Sequence, residues 1–171
     1  MSNRNKDKDY GLTSTDEKIV LYGQDAVDRV RKMERGRKLS KAEDTVIREE
    51  GFVDRVYTDT KGVKTFGVGQ TGKYMGMPFK DVFKIHEDDA RKLIPSYDKL
   101  TENAKAAIMS AAYRGDLQQS PTFRKLFNKG DYKKAAKEFL DNKDYRKSLE
   151  AGTGVAGRME RVANIVRSLQ D

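Results

Sequence analysis

The chain has 171 residues, of which 36% are hydrophobic and 36% charged, and it carries a formal net charge of +8 without any cysteine. This length fits one folded domain with its own core. The lack of cysteine excludes a disulfide framework, and no apolar run reaches the roughly 18 residues that span a bilayer. We therefore expect a globular protein that is made in a reducing cytoplasm and does not insert stably into a membrane.

The excess of positive charge predicts an anionic partner, which leaves nucleic acid, a membrane surface and an acidic cell-wall polymer as candidates. Lysine and arginine are spread over the whole length and do not form a block interleaved with aromatic residues. This distribution argues against nucleic acid as the partner. A single histidine and no cysteine also argue against a zinc site.

The first 39 residues are predicted to form an N-terminal extension. Met1 to Tyr10 is polar and lacks the apolar segment of a signal peptide, and we expect about the first dozen residues to be disordered. Ser14 and Glu17 have the spacing of a capping box, and one or two short helices interrupted at Gly23 should follow and end near Gly36. These helices either pack on the main domain or form a docking module. Their helical period rests on Ile19, Tyr22, Ala26, Val30 and Met33.

Residues 40–171 predict an α+β domain in which a small β-hairpin lobe precedes a larger helical lobe. Ser40 and Glu43 form a second capping box, which opens a helix that ends at Gly51. Residues 55–70 are rich in β-formers and read as a hairpin. Helices are then predicted near 87–94, with His86 at the start, and near 102–114, 121–129, 132–140 and 143–150, followed by a last helix with an apolar stripe from Val155 to Leu169.

Two acidic residues flank the predicted start of the hairpin. Glu50 projects near the centre of the apolar stripe of its helix, at the helix C-terminus. Burial and the negative end of the helix dipole both favour a neutral carboxyl, which is the form that a general acid needs. Asp59 follows nine residues later in a polar run, where water and hydroxyl groups favour the ionised form.

Two carboxyl groups in contrasting environments are the arrangement that glycoside hydrolysis requires. One protonates the leaving oxygen, and the other serves as nucleophile, as base for water or as electrostatic partner of the transition state. The spacing alone leaves a second interpretation open, in which Glu50 pairs with an arginine and Asp59 caps a turn.

A longer motif surrounds these two carboxylates. The run Glu50-Gly51, followed by Tyr57, Asp59, Gly62, Thr65, Gly67 and Gly69, resembles the signature of the phage-type lysozymes, glycoside hydrolase family 24. The resemblance implies a lysozyme-like fold in which Glu50 is the general acid, Asp59 the partner carboxylate and Thr65 the residue that positions the attacking water. It also places Tyr57 and Gly67 at the substrate.

The resemblance extends over residues 40–170. It places Tyr113 where a helix end lines the cleft, and Arg158 where an arginine orients the catalytic Glu, although Arg158 could equally lie on an ordinary basic helix face. Two departures are evident. Gln70 stands where well-known members carry a histidine, and Pro95 is predicted to cut short the family's long interdomain helix.

The function that the resemblance implies is that of a muramidase, which cleaves the β-1,4 bond between N-acetylmuramic acid and N-acetylglucosamine in bacterial peptidoglycan. Such an enzyme needs no metal or organic cofactor, and we expect a monomer synthesised in the host cytoplasm. It would act as a phage endolysin or as a virion-associated lysozyme, with residues 1–39 as the candidate contact with virion proteins. A lytic transglycosylase and a non-catalytic wall-binding or virion structural protein with the same fold stay open as alternatives.

Overall fold

The computed structural model describes residues 20–58 and 62–169 of the chain. These residues form eight α-helices and one three-stranded antiparallel sheet, which confirms the predicted α+β class with a helical majority. The chain divides into two compact units, residues 1–82 and residues 83–171. In chain order the elements are α1 (Gly23–Met33), α2 (Lys41–Glu50), β1 (Val53–Thr58), β2 (Lys64–Gly67), β3 (Gln70–Thr71), α3 (Phe79–Leu93), α4 (Glu102–Arg114), α5 (Pro121–Asn128), α6 (Tyr132–Leu140), α7 (Lys143–Ala151) and α8 (Gly154–Ser168).

The first unit begins with a chain segment that departs from the predicted helix. Leu21 is extended and forms an antiparallel bridge to Phe52 through two backbone hydrogen bonds of 2.9 and 2.8 Å. The helix predicted through Tyr22 is therefore wrong for residues 20–22, and α1 starts at Gly23. Ile19, the first residue of the predicted stripe, lies outside the described residues. The predicted capping box of Ser14 and Glu17 lies outside the described residues.

Helix α1 packs against α2 within this unit and buries Ala26, Val27 and Val30. Arg37 reinforces the connection, because its guanidinium donates to Glu43 at 2.5 and 3.2 Å and to Glu34 at 2.8 Å. These hydrogen bonds, the one to Glu43 first, raise the pKa of Arg37 above its ordinary value, although burial opposes them. Arg37 therefore stays charged over the whole working range of pH.

Helix α2 has the ends that the sequence predicts. The Ser40 hydroxyl accepts from the Glu43 backbone N–H at 3.1 Å, and the Glu43 carboxylate accepts from the Ser40 N–H at 3.2 Å, so the capping box is confirmed. Gly51 ends the helix with a φ of +76°, and a Cβ there would lie 2.6 Å from the Tyr22 ring and 2.8 Å from the Leu21 carbonyl oxygen. Only glycine fits this position without displacing the extended segment.

The predicted hairpin is confirmed, and the sheet has one more strand than predicted. β1 pairs with β2 with Tyr57 opposite Thr65, and β2 pairs with β3 with Thr65 opposite Thr71. The second connection is short, with only Val68 and Gly69 between β2 and β3. Thr65 therefore lies on the central strand of the sheet.

The second unit is helical. α4 is its most buried helix, since every residue from Ala106 to Ala112 is buried, and it packs against α8. α8 also packs against α6 and α7. Between α5 and α6, the buried ring of Phe123 packs against the rings of Phe127 and Phe139. α4 to α8 lie within one or two residues of their predicted bounds.

The predicted start of the helix before Pro95 is wrong. α3 begins at Phe79, directly after Pro78, and has 15 residues, so His86 lies in the middle of the helix and does not cap it. The helix ends at Leu93, as expected for a chain that meets Pro95. The division between the two units falls within α3, after Val82.

Candidate active site

Glu50 is the last residue of α2, and its side chain is half-buried. The carboxyl lies against the backbone of Gly69, where a Cβ would come within 2.9 Å of Glu50 Oε2 and 3.5 Å of Glu50 Cδ. Gly69 also has a φ of +59°, a conformation that L side chains rarely adopt. The structure thus brings the predicted acid together with the glycine turn of the sheet.

Thr65 lies on β2 and is 6% exposed. Its hydroxyl donates a hydrogen bond of 3.3 Å to the Val63 carbonyl oxygen, two residues earlier. A hydroxyl that donates to a carbonyl keeps two lone pairs as acceptors. Thr65 is therefore able to accept a hydrogen bond from a water molecule or a sugar hydroxyl.

Tyr57 was predicted at the substrate, and the structure places it in a small apolar cluster. It is 9% exposed and packs with Val20, Val53 and the partly buried Tyr22. This position gives Tyr57 a packing role opposite Thr65. A contact between Tyr57 and substrate stays a prediction.

Gly67, the other predicted substrate-binding residue of the sheet, ends β2 with a φ of +62°. A Cβ at this position would lie 2.5 Å from Gln70 Oε1, so the missing side chain makes room for the amide of Gln70. The positive φ and this close approach both explain glycine here.

Gln70 has a role that the sequence analysis missed. It is 3% exposed, and its amide nitrogen donates to the carbonyl oxygens of Tyr74 at 2.7 Å and Met77 at 2.8 Å. Its amide oxygen accepts from the Val68 N–H at 3.3 Å. The sequence shows only a polar residue directly after Gly69, and this position does not indicate that the side chain binds Tyr74 and Met77, four and seven residues later.

Asp59, the predicted partner carboxylate, belongs to the segment 59–61, which lies outside the described residues. β1 ends at Thr58 and the described chain resumes at Gly62. The role of Asp59 therefore stays a prediction from the sequence.

Two predicted site residues belong to the second unit. Tyr113 lies near the end of α4, and its ring packs against that of His86 with 4.9 Å between centroids and a tilt of 53°. Arg158 on α8 is 8% exposed, and its guanidinium donates to the hydroxyl and the carbonyl oxygen of Ser110, both at 3.3 Å. Arg158 is thus a buried, hydrogen-bonded cation, unlike a residue on an exposed basic face.

Within residues 20–58 and 62–169, no group of three or more His, Cys, Asp or Glu side chains is placed to hold a metal ion. In the same part of the chain, none of the helices has the length and apolar character needed to cross a bilayer.

A glutamate side chain at a helix end, beside a turn of a small antiparallel sheet in a mainly helical α+β chain, is the arrangement that the sequence resemblance implies for a glycosidase of the lysozyme type. The family model for phage lysozyme matches residues 47–164, more than two thirds of the chain. The chain belongs to the phage lysozyme family, as its motif predicted, and is a peptidoglycan hydrolase of the lysozyme type. A comparison with curated proteins found no match.

Proposed function

We propose that the protein is a muramidase in which Glu50 donates the proton that cleaves the β-1,4 bond between N-acetylmuramic acid and N-acetylglucosamine. The observation that carries this proposal is the position of the Glu50 carboxyl, half-buried at the end of α2 and in contact with the backbone of Gly69. The family match includes this residue.

In the proposed reaction, Glu50 protonates the glycosidic oxygen, and the bond from that oxygen to C1 of N-acetylmuramic acid breaks. The positive charge that develops at C1 and the ring oxygen is stabilised by the ionised carboxylate of Asp59. Water then adds to C1 and passes a proton to the Asp59 carboxylate, which leaves a reducing end on N-acetylmuramic acid. Thr65 accepts a hydrogen bond from this water, a role that its hydroxyl supports because it donates to Val63 and keeps its lone pairs as acceptors. Glu50 regains a proton from solvent and Asp59 returns one to it, so both carboxyl groups start the next cycle unchanged.

Tyr113 and Arg158 complete the proposal. Tyr113 is assigned to substrate binding and Arg158 to the orientation of Glu50, both on the strength of the family resemblance. The hydrogen bonds from Arg158 to Ser110 fix the guanidinium within the second unit. No metal or organic cofactor is required for this chemistry.

Product analysis tests the proposal against its nearest alternatives. Purified peptidoglycan is digested with the protein, and the soluble fragments are analysed by mass spectrometry before and after borohydride reduction. The proposal predicts fragments with a reducing N-acetylmuramic acid end, which gain two hydrogen atoms on reduction. Fragments with a 1,6-anhydro end, which borohydride leaves unchanged, would identify a lytic transglycosylase. Binding without any fragment would identify a non-catalytic wall-binding protein.

The proposed role of Asp59 has its own test. Asp59→Ala should lose most of the hydrolytic rate while its thermal unfolding stays close to that of the wild type, because the residue is assigned to catalysis. Asp54→Ala is a matched control, since Asp54 is an exposed acid on β1 whose ion pair with Arg29 is long at 3.5 Å. A near-normal rate for Asp59→Ala would remove Asp59 from the mechanism.

The biological setting has two candidates, a phage endolysin and a virion-associated lysozyme. We propose residues 40–171 as the catalytic domain and residues 1–39 as an extension whose helix α1 packs on it. Detection of the protein in purified phage particles would identify the virion-associated role, and its presence in lysates alone would identify the endolysin.

A further inference from the structure

The amide of Gln70 connects two parts of the first unit. Through its oxygen it accepts from Val68 in the turn between β2 and β3, and through its nitrogen it donates to Tyr74 and Met77 in the loop that follows β3. All three partners are backbone atoms, so the contacts depend on the backbone conformation of the turn and of the loop. The side chain is almost completely buried.

The turn that Gln70 holds is the one that contacts the catalytic acid. Gly69 lies next to Val68 in this turn, and a Cβ on Gly69 would come within 2.9 Å of the Glu50 carboxyl. Gly67, on the other side of Val68, leaves room for the Gln70 amide. The two glycines therefore make room for different side chains. Gly67 leaves space for the Gln70 amide, and Gly69 leaves space for the Glu50 carboxyl.

Part of the loop after β3 borders a pocket in the first unit. A cavity of about 350 Å³ adjoins Gln70 and Gly67 and is bordered by apolar side chains, among them Phe52, Phe66 and Phe79. Gly76 and Met77 of the loop also line it. The hydrogen bonds of Gln70 to Tyr74 and Met77 therefore restrain the loop on the side that borders this pocket, together with the loop's own bond of 3.1 Å from the Met77 N–H to the Tyr74 carbonyl oxygen.

We propose that Gln70 is a positioning residue for Glu50, which holds the Val68–Gly69 turn at the distance where Gly69 contacts the carboxyl. This inference rests on the proposed role of Glu50 as the general acid. Gln70 does not touch the substrate, and its influence on the rate runs through the placement of the acid. A displacement on the order of 1 Å in a catalytic group can lower a rate by about 100-fold.

The variant Gln70→Leu tests this proposal, since leucine has a similar volume and makes none of the three hydrogen bonds. We expect kcat to fall by about tenfold or more with little change in KM. We also expect the basic limb of the pH–rate profile, which reports ionisation of the acid, to move, because the environment of the carboxyl changes. The matched control is Ser148→Ala. Ser148 is also buried but lies in the second unit, and the substitution removes its hydrogen bonds to Thr153 and Ala156.

The control separates positioning from a merely structural role. If Gln70→Leu and Ser148→Ala lose similar thermal stability, and the folded Gln70→Leu keeps the wild-type kcat and pH profile, the proposal is overturned. Should Gln70→Leu fail to fold, Gln70→Asn gives the same comparison, because the asparagine side chain is too short for its amide to reach all three partners. A normal rate in Glu50→Gln would instead refute the proposed function, and a loss of rate in Gln70→Leu would then show a role that does not run through Glu50.

Discussion

Gly69 and Glu50 lie so close together that a single methyl group on Gly69 would come within 2.9 Å of the Glu50 carboxyl oxygen. The two residues belong to different elements, the end of α2 and the turn between β2 and β3. The size of residue 69 therefore controls the position of the proposed acid.

Gly69→Ala should lower kcat by about tenfold or more, because the added methyl group displaces the carboxyl. It should also destabilise the protein, since alanine is strained at a φ of +59° by roughly 1–2 kcal/mol. Steady-state kinetics and thermal unfolding measure the two effects. Gly72→Ala is the matched control, because Gly72 has a φ of +53° and a Cβ there would meet nothing within 4 Å. Equal losses of kcat in both variants would mean that backbone strain, and not the contact with Glu50, explains the result.

Thr65→Ala should lower the hydrolytic rate less than Glu50→Gln does, because it removes a group that orients water and leaves the proton donor in place. Thr65→Ser keeps the hydroxyl and should retain a larger part of the rate than Thr65→Ala. Release of reducing ends from purified peptidoglycan measures all three variants. Identical rates for the Ser and Ala variants would exclude the hydroxyl from the mechanism.

Ser40→Ala should destabilise the protein by about 1 kcal/mol, because it removes the side-chain cap of α2. For a chain of this size that loss lowers Tm by roughly 2–4 °C. Ser120→Ala is the control, since Ser120 precedes α5 without a side-chain cap hydrogen bond. Calorimetry should therefore show a lower Tm for Ser40→Ala than for Ser120→Ala. Equal Tm values would show that the cap of α2 does not contribute to stability.

Tyr97→Phe should change how stability depends on alkaline pH. Burial, together with the hydrogen bond of 2.7 Å that the Tyr97 hydroxyl donates to Glu87, raises the pKa of the phenol in the folded protein. The stability that follows is fully present below the phenol pKa of the unfolded chain, about 10, and is lost as the pH rises above that value toward the folded one. Urea unfolding at pH 8 and pH 11 should show a smaller alkaline loss in Tyr97→Phe than in the wild type. The same loss in both proteins would show that Tyr97 does not titrate in this way.

The features that the sequence predicted well are set by local chemistry. The capping box of Ser40 and Glu43, the end of α2 at Gly51 and the end of α3 before Pro95 each depend on residues within a few positions of one another. The motif of the phage-type lysozymes, from Glu50 to Gly69, is recognisable for the same reason, since its residues are closely spaced. Its match to the phage lysozyme family covers these positions.

The features that were missed depend on distant contacts or on very short elements. Leu21 is extended and forms a bridge with Phe52, thirty-one residues later, and the helical spacing of Ile19 and Tyr22 on either side of it does not reveal so distant a partner. β3 has only two residues, too few for an alternating pattern. The start of α3 was placed too late because His86 and the acidic residues after it resemble a helix start, whereas the buried Phe79, Val82 and Phe83 already continue the helical stripe.

The most direct test of the proposed mechanism is the rate at which reducing ends are released from purified peptidoglycan by the wild type, Glu50→Gln and Glu49→Gln. The two substitutions make the same chemical change at adjacent positions of α2, and circular dichroism establishes that both variants are folded. We predict that Glu50→Gln loses about 100-fold to 10,000-fold of the rate, the range expected for a general acid, while Glu49→Gln keeps most of it. A folded Glu50→Gln variant that hydrolyses peptidoglycan as fast as Glu49→Gln would contradict the assignment of Glu50 as the proton donor.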